Sequence, residues 1–102
     1  MIISTKTRET LKREISDSLS GEAEVKKIMV FGSFLTSADP GDIDIAIFQD
    51  SNENYLTLAM KYRKLTRSVA AKIPLDIIPI QTKIKDNWFL REINTGEVLY
   101  ER

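Results

Sequence analysis

The residues best suited to chemistry lie in one stretch, Ile28 to Phe48, IMVFGSFLTSADPGDIDIAIF. Asp42 and Asp44 stand two apart at the head of an isoleucine-rich run. In a strand that spacing sends both side chains to one face, about 6–7 Å apart. Two carboxylates so held repel unless something positive sits between them, and a hard divalent cation such as Mg²⁺ suits carboxylate and phosphate oxygens. Asp76, in LDIIPI, alternates with Leu75 and Ile77 and shares its face with Ile78 and Ile80. An unpaired carboxylate there is expensive. If its strand lies beside that of Asp44, the three converge. Three carboxylates on one sheet face are the minimum set for two-metal phosphoryl or nucleotidyl transfer.

Gly32 and Ser33 supply a second element. They close an apolar run, and eight loop-like residues separate them from Asp42. Glycine lets a ligand approach the backbone closely, free N–H groups of a following turn attract phosphate oxygens, and the Ser33 hydroxyl adds a donor. Taken singly these residues have plainer readings. Asp42 fits a Pro-Gly-Asp turn, Asp39 a solvated loop, and Gly-Ser a strand-ending turn. Asp44, with isoleucine on both sides, is the hardest to explain without a partner.

The elements that must position these groups follow from periodicity. Ile3, Thr7, Leu11, Ile15 and Leu19 recur every four residues, which predicts an amphipathic helix over about Thr5 to Leu19, capped by Ser4 or Thr5. Val25 to Phe31 reads as a strand closed by Gly32, and Ser33 to Gly41 as a short helical turn and loop. Asp42 to Phe48 alternates, with Ile43, Ile45 and Ile47 on one face and Asp42, Asp44, Ala46 and Phe48 on the other. The short loop predicts antiparallel pairing of these two strands. A helix of about twenty residues, Glu53 to Lys72, follows, with Tyr55, Leu58, Ala59, Tyr62, Leu65, Val69 and Ile73 as its apolar face. Pro74 ends it, and Leu75 to Ile80 is a third strand, in which Pro79 points to an edge or a strand end. Ile84, Trp88, Phe89 and Ile93 predict a helix between Thr82 and Asn94, and Val98–Tyr100 a last short strand. Trp88, Phe89, Tyr55 and Tyr62 read as core or partner-contact aromatics. The fold class is α/β (α+β): a mixed sheet of about four strands with helices packed on it.

Composition narrows the chemistry. The 102 residues suit one domain, 1–102, with one core. There is no histidine and no cysteine, which removes imidazole bases, thiolate metal sites and disulfides. Fifteen basic residues balance fifteen acidic ones, which argues against a grip on long nucleic acid through its phosphates. The N-terminus carries charges every few residues, unlike a signal peptide, and no window approaches the roughly 20 apolar residues of a membrane span. The expected setting is the cytoplasm.

The set Gly32-Ser33, eight residues, Asp42-Ile43-Asp44, with Asp76 in PLDIIP, resembles the polymerase-β-type nucleotidyltransferase superfamily. Within it the chain is similar to the minimal nucleotidyltransferases of bacteria and archaea, a likeness that extends to the leading helix and the ending FLREINTGEVLYER. The resemblance implies a palm-like fold. It also implies Mg²⁺ on Asp42, Asp44 and Asp76, a nucleoside triphosphate such as ATP held at Gly32 and Ser33, and transfer of NMP to an acceptor hydroxyl. Many such proteins pair with a helical HEPN-type toxin, and some neutralise it by adding AMP, so the resemblance implies that partner. The chain departs from the family in a slightly shorter loop without the arginine common after Gly-Ser, which leaves Lys61 and Lys64 as candidates to meet the triphosphate. Two other readings compete: an antitoxin-like module that only masks its partner, and a structural domain without a ligand.

Overall fold

Helix α1, Thr5–Leu19, starts where the side chain of Ser4 accepts the N–H of Thr7 at 3.0 Å, and it buries Leu11, Ile15 and Leu19. In the computed structural model, which describes residues 2–83, 88–93 and 95–102, it leads into β1, Val25–Phe31. A single 3-10 turn, Gly32–Leu35, and a loop then bring the chain to β2, Ile43–Gln49. Helix α2, Tyr55–Leu65, is capped by Asn54 and followed by a one-turn helix α3, Arg67–Ala70. The chain closes with β3, Leu75–Gln81, α4, Trp88–Ile93, and β4, Glu97–Glu101.

The four strands form one mixed sheet in the order β3-β2-β1-β4. β1 pairs antiparallel with β2 and with β4, whereas β2 and β3 run parallel. Pro79 therefore lies on an edge strand, where its missing N–H breaks no central ladder. The two faces of the sheet carry separate apolar clusters. Val25, Ile28, Val30, Ile43, Ile45, Ile47 and Ile77 pack with α1, α2 and α3 on one side. Met29, Phe31, Ala46 and Ile80 pack with Leu90 and Ile93 of α4 on the other. An irregularity in β1 between Val25 and Lys27 resets the side-chain phase, so Val25 and Ile28, three residues apart, reach the same face.

The expected twenty-residue helix is instead two. The break falls at Thr66, which leaves the helical dihedrals at φ −103°, ψ 15° and whose hydroxyl donates to the Tyr62 carbonyl at 2.7 Å. A buried β-branched residue bonded back one turn bends a helix in this way. The helix also begins at Tyr55 rather than Glu53, and Tyr55 and Leu65 stand exposed, not on the apolar face. Tyr62 is buried in the core. The last helix is observed over Trp88–Ile93, with Ile93 buried; the expectations for Ile84, Asn94 and the side chains of Trp88 and Phe89 lie outside the described residues. Among the described residues no helix is long and apolar enough to cross a membrane.

At the end of the sheet where β1 begins, Lys61 Nζ and the Tyr62 hydroxyl both donate to Glu24 Oε2 at 2.9 Å. Burial pushes the Glu24 carboxyl up. The bonds from Lys61, its own backbone and Tyr62 outweigh that and hold it below the ordinary 4.5. A carboxyl lowered in the native state stabilises the fold fully above its unfolded pKa, and that contribution is lost as the pH falls through the native value. Glu24→Gln should therefore lower Tm at pH 7 by a few degrees, about 1 kcal/mol being worth about 4–8 °C at this length. The gap from wild type should close as the pH drops below 4.5, as followed by circular dichroism melts.

Candidate active site

The carboxylates expected to act together are brought together. Asp44 and Asp76 are direct partners across the parallel β2–β3 ladder, and Asp42 stands one residue before β2 begins. The N–H of Ile43 donates to the Pro74 carbonyl at 2.9 Å, which fixes this register at the strand ends. One carboxylate oxygen from each of Asp42, Asp44 and Asp76 lies within 4.8 Å of the others. Asp42 and Asp44 are half-buried and Asp76 is exposed. They occupy the end of the face that carries Ala46, Phe48, Ile78 and Ile80, away from α1 and α2.

Among the described residues neither Asp42 nor Asp76 has a lysine or arginine within ion-pair distance. Unit charges about 4 Å apart repel by about 1 kcal/mol in water and about 4 kcal/mol at an effective dielectric of about 20. Three convergent acidic oxygens with an open side toward solvent thus fit a hard divalent cation, whose ligands are carboxylates and phosphates.

Gly32 is built into the same site. It has φ +81°, a left-handed conformation that β-carbons disfavour. A β-carbon added to it would lie 2.5 Å from Asp44 Oδ2, so the carboxylate rests directly against the glycine backbone. Ser33 follows, exposed, and its carbonyl accepts the N–H groups of Thr36 at 3.1 Å and Ser37 at 2.7 Å. Phe34 turns the opposite way and is wholly buried against α1.

Two expectations for cations do not hold. Lys61 is engaged by Glu22 at 2.6 Å and Glu24 at 2.9 Å, and Glu24 precedes β1 while Gly32 follows it. At about 3.3 Å per residue the two ends are roughly 25 Å apart. Lys64 is an exposed residue of α2, which packs on the other face of the sheet. The apolar periodicity of α2 placed its basic residues toward solvent but not relative to the two ends of the sheet.

Two residues that hold the site carry little signal in the sequence. Gly96, in the turn between α4 and β4, has no room for a β-carbon against the Val30 carbonyl, the Phe31 side chain and the Ile93 carbonyl. It packs that turn onto the end of β1, next to Gly32, and Asn-Thr-Gly reads only as a helix stop. The other is Arg8, whose Nη2 donates to the Ser37 carbonyl at 2.9 Å.

Comparison with known proteins bears on the family and the fold. A family model described as polymerase beta, nucleotidyltransferase, matches residues 13–102. The chain belongs to the polymerase β nucleotidyltransferase family. Membership makes nucleotidyl transfer its class of chemistry. No curated protein matches the sequence significantly. Among solved structures, the chain is similar to one in a complex of tri-AMPylated Shewanella oneidensis HEPN toxin with MNT antitoxin. They share 18% identity and a TM-score of 0.61, with 93% of this chain and 73% of that one covered. It is also similar to one in the toxin-antitoxin MntA-HepT, at 17% identity and a TM-score of 0.60, over 92% of this chain and 73% of that one. At these identities the likeness is one of fold.

Gly32→Ala should destabilise the fold by about 1–2 kcal/mol through the left-handed backbone alone, before the displacement of Asp44 is added. Gly21→Ala, where an added β-carbon meets nothing within 4 Å, should stay within about 0.5 kcal/mol of wild type in urea unfolding.

Proposed function

We propose that this protein transfers a nucleoside monophosphate, AMP from ATP, to a hydroxyl on a helical HEPN-type partner protein. The observation that carries the reading is the convergence of Asp42, Asp44 and Asp76 beside the Gly32–Ser33 turn, within a chain of the polymerase β nucleotidyltransferase family. The partner and the AMP group come from the similar complexes, one of which holds a tri-AMPylated HEPN toxin. Cytoplasmic ATP would supply the donor.

Asp42, Asp44 and Asp76 would hold Mg²⁺, and Asp76, the exposed member, faces the solvent side from which an acceptor hydroxyl would approach. When bound, the metal supplies charge neutralisation at the phosphates and lowers the barrier to losing a proton from the acceptor. Gly32 leaves its backbone bare for the triphosphate, and Ser33 offers its hydroxyl as a donor. The acceptor oxygen forms a bond to the α-phosphorus, the bond from that phosphorus to the bridging oxygen breaks, and pyrophosphate leaves. The proton of the hydroxyl passes to Asp76 or to solvent.

The test is label transfer. Incubated with Mg²⁺, the partner and ATP labelled at the α-phosphate, the wild-type protein should label the partner, and label at the γ-phosphate should not transfer. Asp44→Asn should reduce transfer by at least about a hundredfold, the scale on which loss of one group facing a developing charge acts. Neutralisation of the partner without any label would instead identify a masking module. Absence of both labelling and binding would overturn the proposal.

A further inference from the structure

The loop from Gly32 to Gly41 is held at two ends by different parts of the molecule. At its front Gly32 lies against Asp44. At its back the contacts come from the N-terminal segment. Arg8 Nη2 donates to the Ser37 carbonyl at 2.9 Å, and its guanidinium lies 5.2 Å from the centroid of the Phe34 ring, the residue next to Ser33. One strand-like contact continues the clamp, where the N–H of Ile3 donates to the Ala38 carbonyl at 3.0 Å. Phe34 is fully buried and Ile3 nearly so, so both the ring under the guanidinium and the segment beside it are fixed by the core. Arg8 precedes the segment matched by the family model, which starts at residue 13.

Cover for the Phe34 ring does not by itself require an arginine. Its second terminal nitrogen, Nη1, is buried with no hydrogen-bond partner among the described residues. An apolar side chain of similar length would also cover the Phe34 ring. What an apolar residue cannot do is hold the Ser37 carbonyl. That carbonyl belongs to the residue whose own N–H closes the turn on Ser33.

We propose that Arg8 is a positioning residue for the nucleotide loop: locked between the Phe34 ring and the Ser37 carbonyl, it keeps Gly32, Ser33 and Asp42 in the arrangement that receives a nucleoside triphosphate. The inference rests on the reading of Gly32–Ser33 as the triphosphate contact. Arg8 touches no reacting atom; it acts by raising the fraction of molecules in which the loop is already set. If that fraction falls to about one tenth, the apparent dissociation constant rises about tenfold.

The experiment compares wild type with Arg8→Met, Arg8→Lys and Ile15→Val. Ile15 is fully buried in the same helix and serves as the measure of mere softening of α1. The readouts are Tm, Mg-ATP affinity by calorimetry and hydrogen exchange at the Thr36 and Ser37 amides. Arg8→Met should keep the wild-type Tm within about 2–4 °C. It should bind Mg-ATP about tenfold more weakly and exchange the two loop amides faster. Arg8→Lys keeps a cation and one donor and should recover most of the affinity. Ile15→Val should lower Tm without changing affinity.

Wild-type affinity in Arg8→Met, no rescue by Arg8→Lys, or an equal loss in Ile15→Val would overturn the inference while leaving the nucleotide reading intact. So would weaker binding without faster exchange at Thr36 and Ser37, which would put the guanidinium on the nucleotide itself. A wild-type protein that binds no Mg-ATP would overturn the nucleotide reading and the inference together.

Discussion

The in-register parallel pairing of β2 with β3 is the constraint on which the rest depends. Asp44 faces Asp76 only because Ile43 pairs with Leu75 and Ile45 with Ile77. A slip of one residue would send Asp76 to the helix-covered face and bring Leu75 toward solvent. The register is held by burial. Ile43, Ile45 and Ile47 are fully enclosed by α1 and α2, Ile77 nearly so, and the first rung runs from Ile43 to the Pro74 carbonyl. Four large apolar side chains on the far face therefore fix where three carboxylates stand on the near one.

The two faces divide the work. The side covered by α1, α2 and α3 carries the larger cluster and the buried Phe34, and it stabilises the sheet. Among the described residues the other side is covered by the short α4, and Asp76 at the end of that face is exposed while Asp42 and Asp44 are half-buried. Parts of the first side still reach the second. Phe34 plugs the core from the loop that begins at Gly32, and Arg8 closes over Phe34. The Gly96 turn presses on the end of β1 from the α4 side. The Gly-Ser turn thus sits between two packed supports while its own residues stay exposed.

Much of this was legible because it is local. Ser4 and the four-residue spacing to Leu19 define α1, and the observed helix has those bounds. Alternation alone put Asp42 and Asp44 opposite Ile43, Ile45 and Ile47, since side-chain direction in a strand follows from chain geometry. The split at Thr66 was not legible, because exposed Thr10 bonds back to the Lys6 carbonyl in the same way without breaking α1, and what sets Thr66 apart is its burial in the packed core. The β1 irregularity near Lys26 was hidden for a related reason: it serves the packing of Val25 against distant helices. Lys61 looked available for a phosphate until its glutamate partners, 37 residues away for Glu24, came into view.

The sequence by itself determined the parts: two carboxylates on one strand face, a third in an apolar strand, a glycine at a strand end, and a chemistry without histidine or cysteine. These depend on residue type and on the two-residue period, which no tertiary contact alters. Only the tertiary structure decided that β3 lies beside β2 and not at the other edge, so that the third carboxylate joins the first two. It alone showed Asp44 resting on the bare backbone of Gly32, and Arg8 gripping a loop 29 residues on. Such contacts join segments far apart in the chain. Their geometry is set by how the whole core packs, which is information that no local pattern of residues carries.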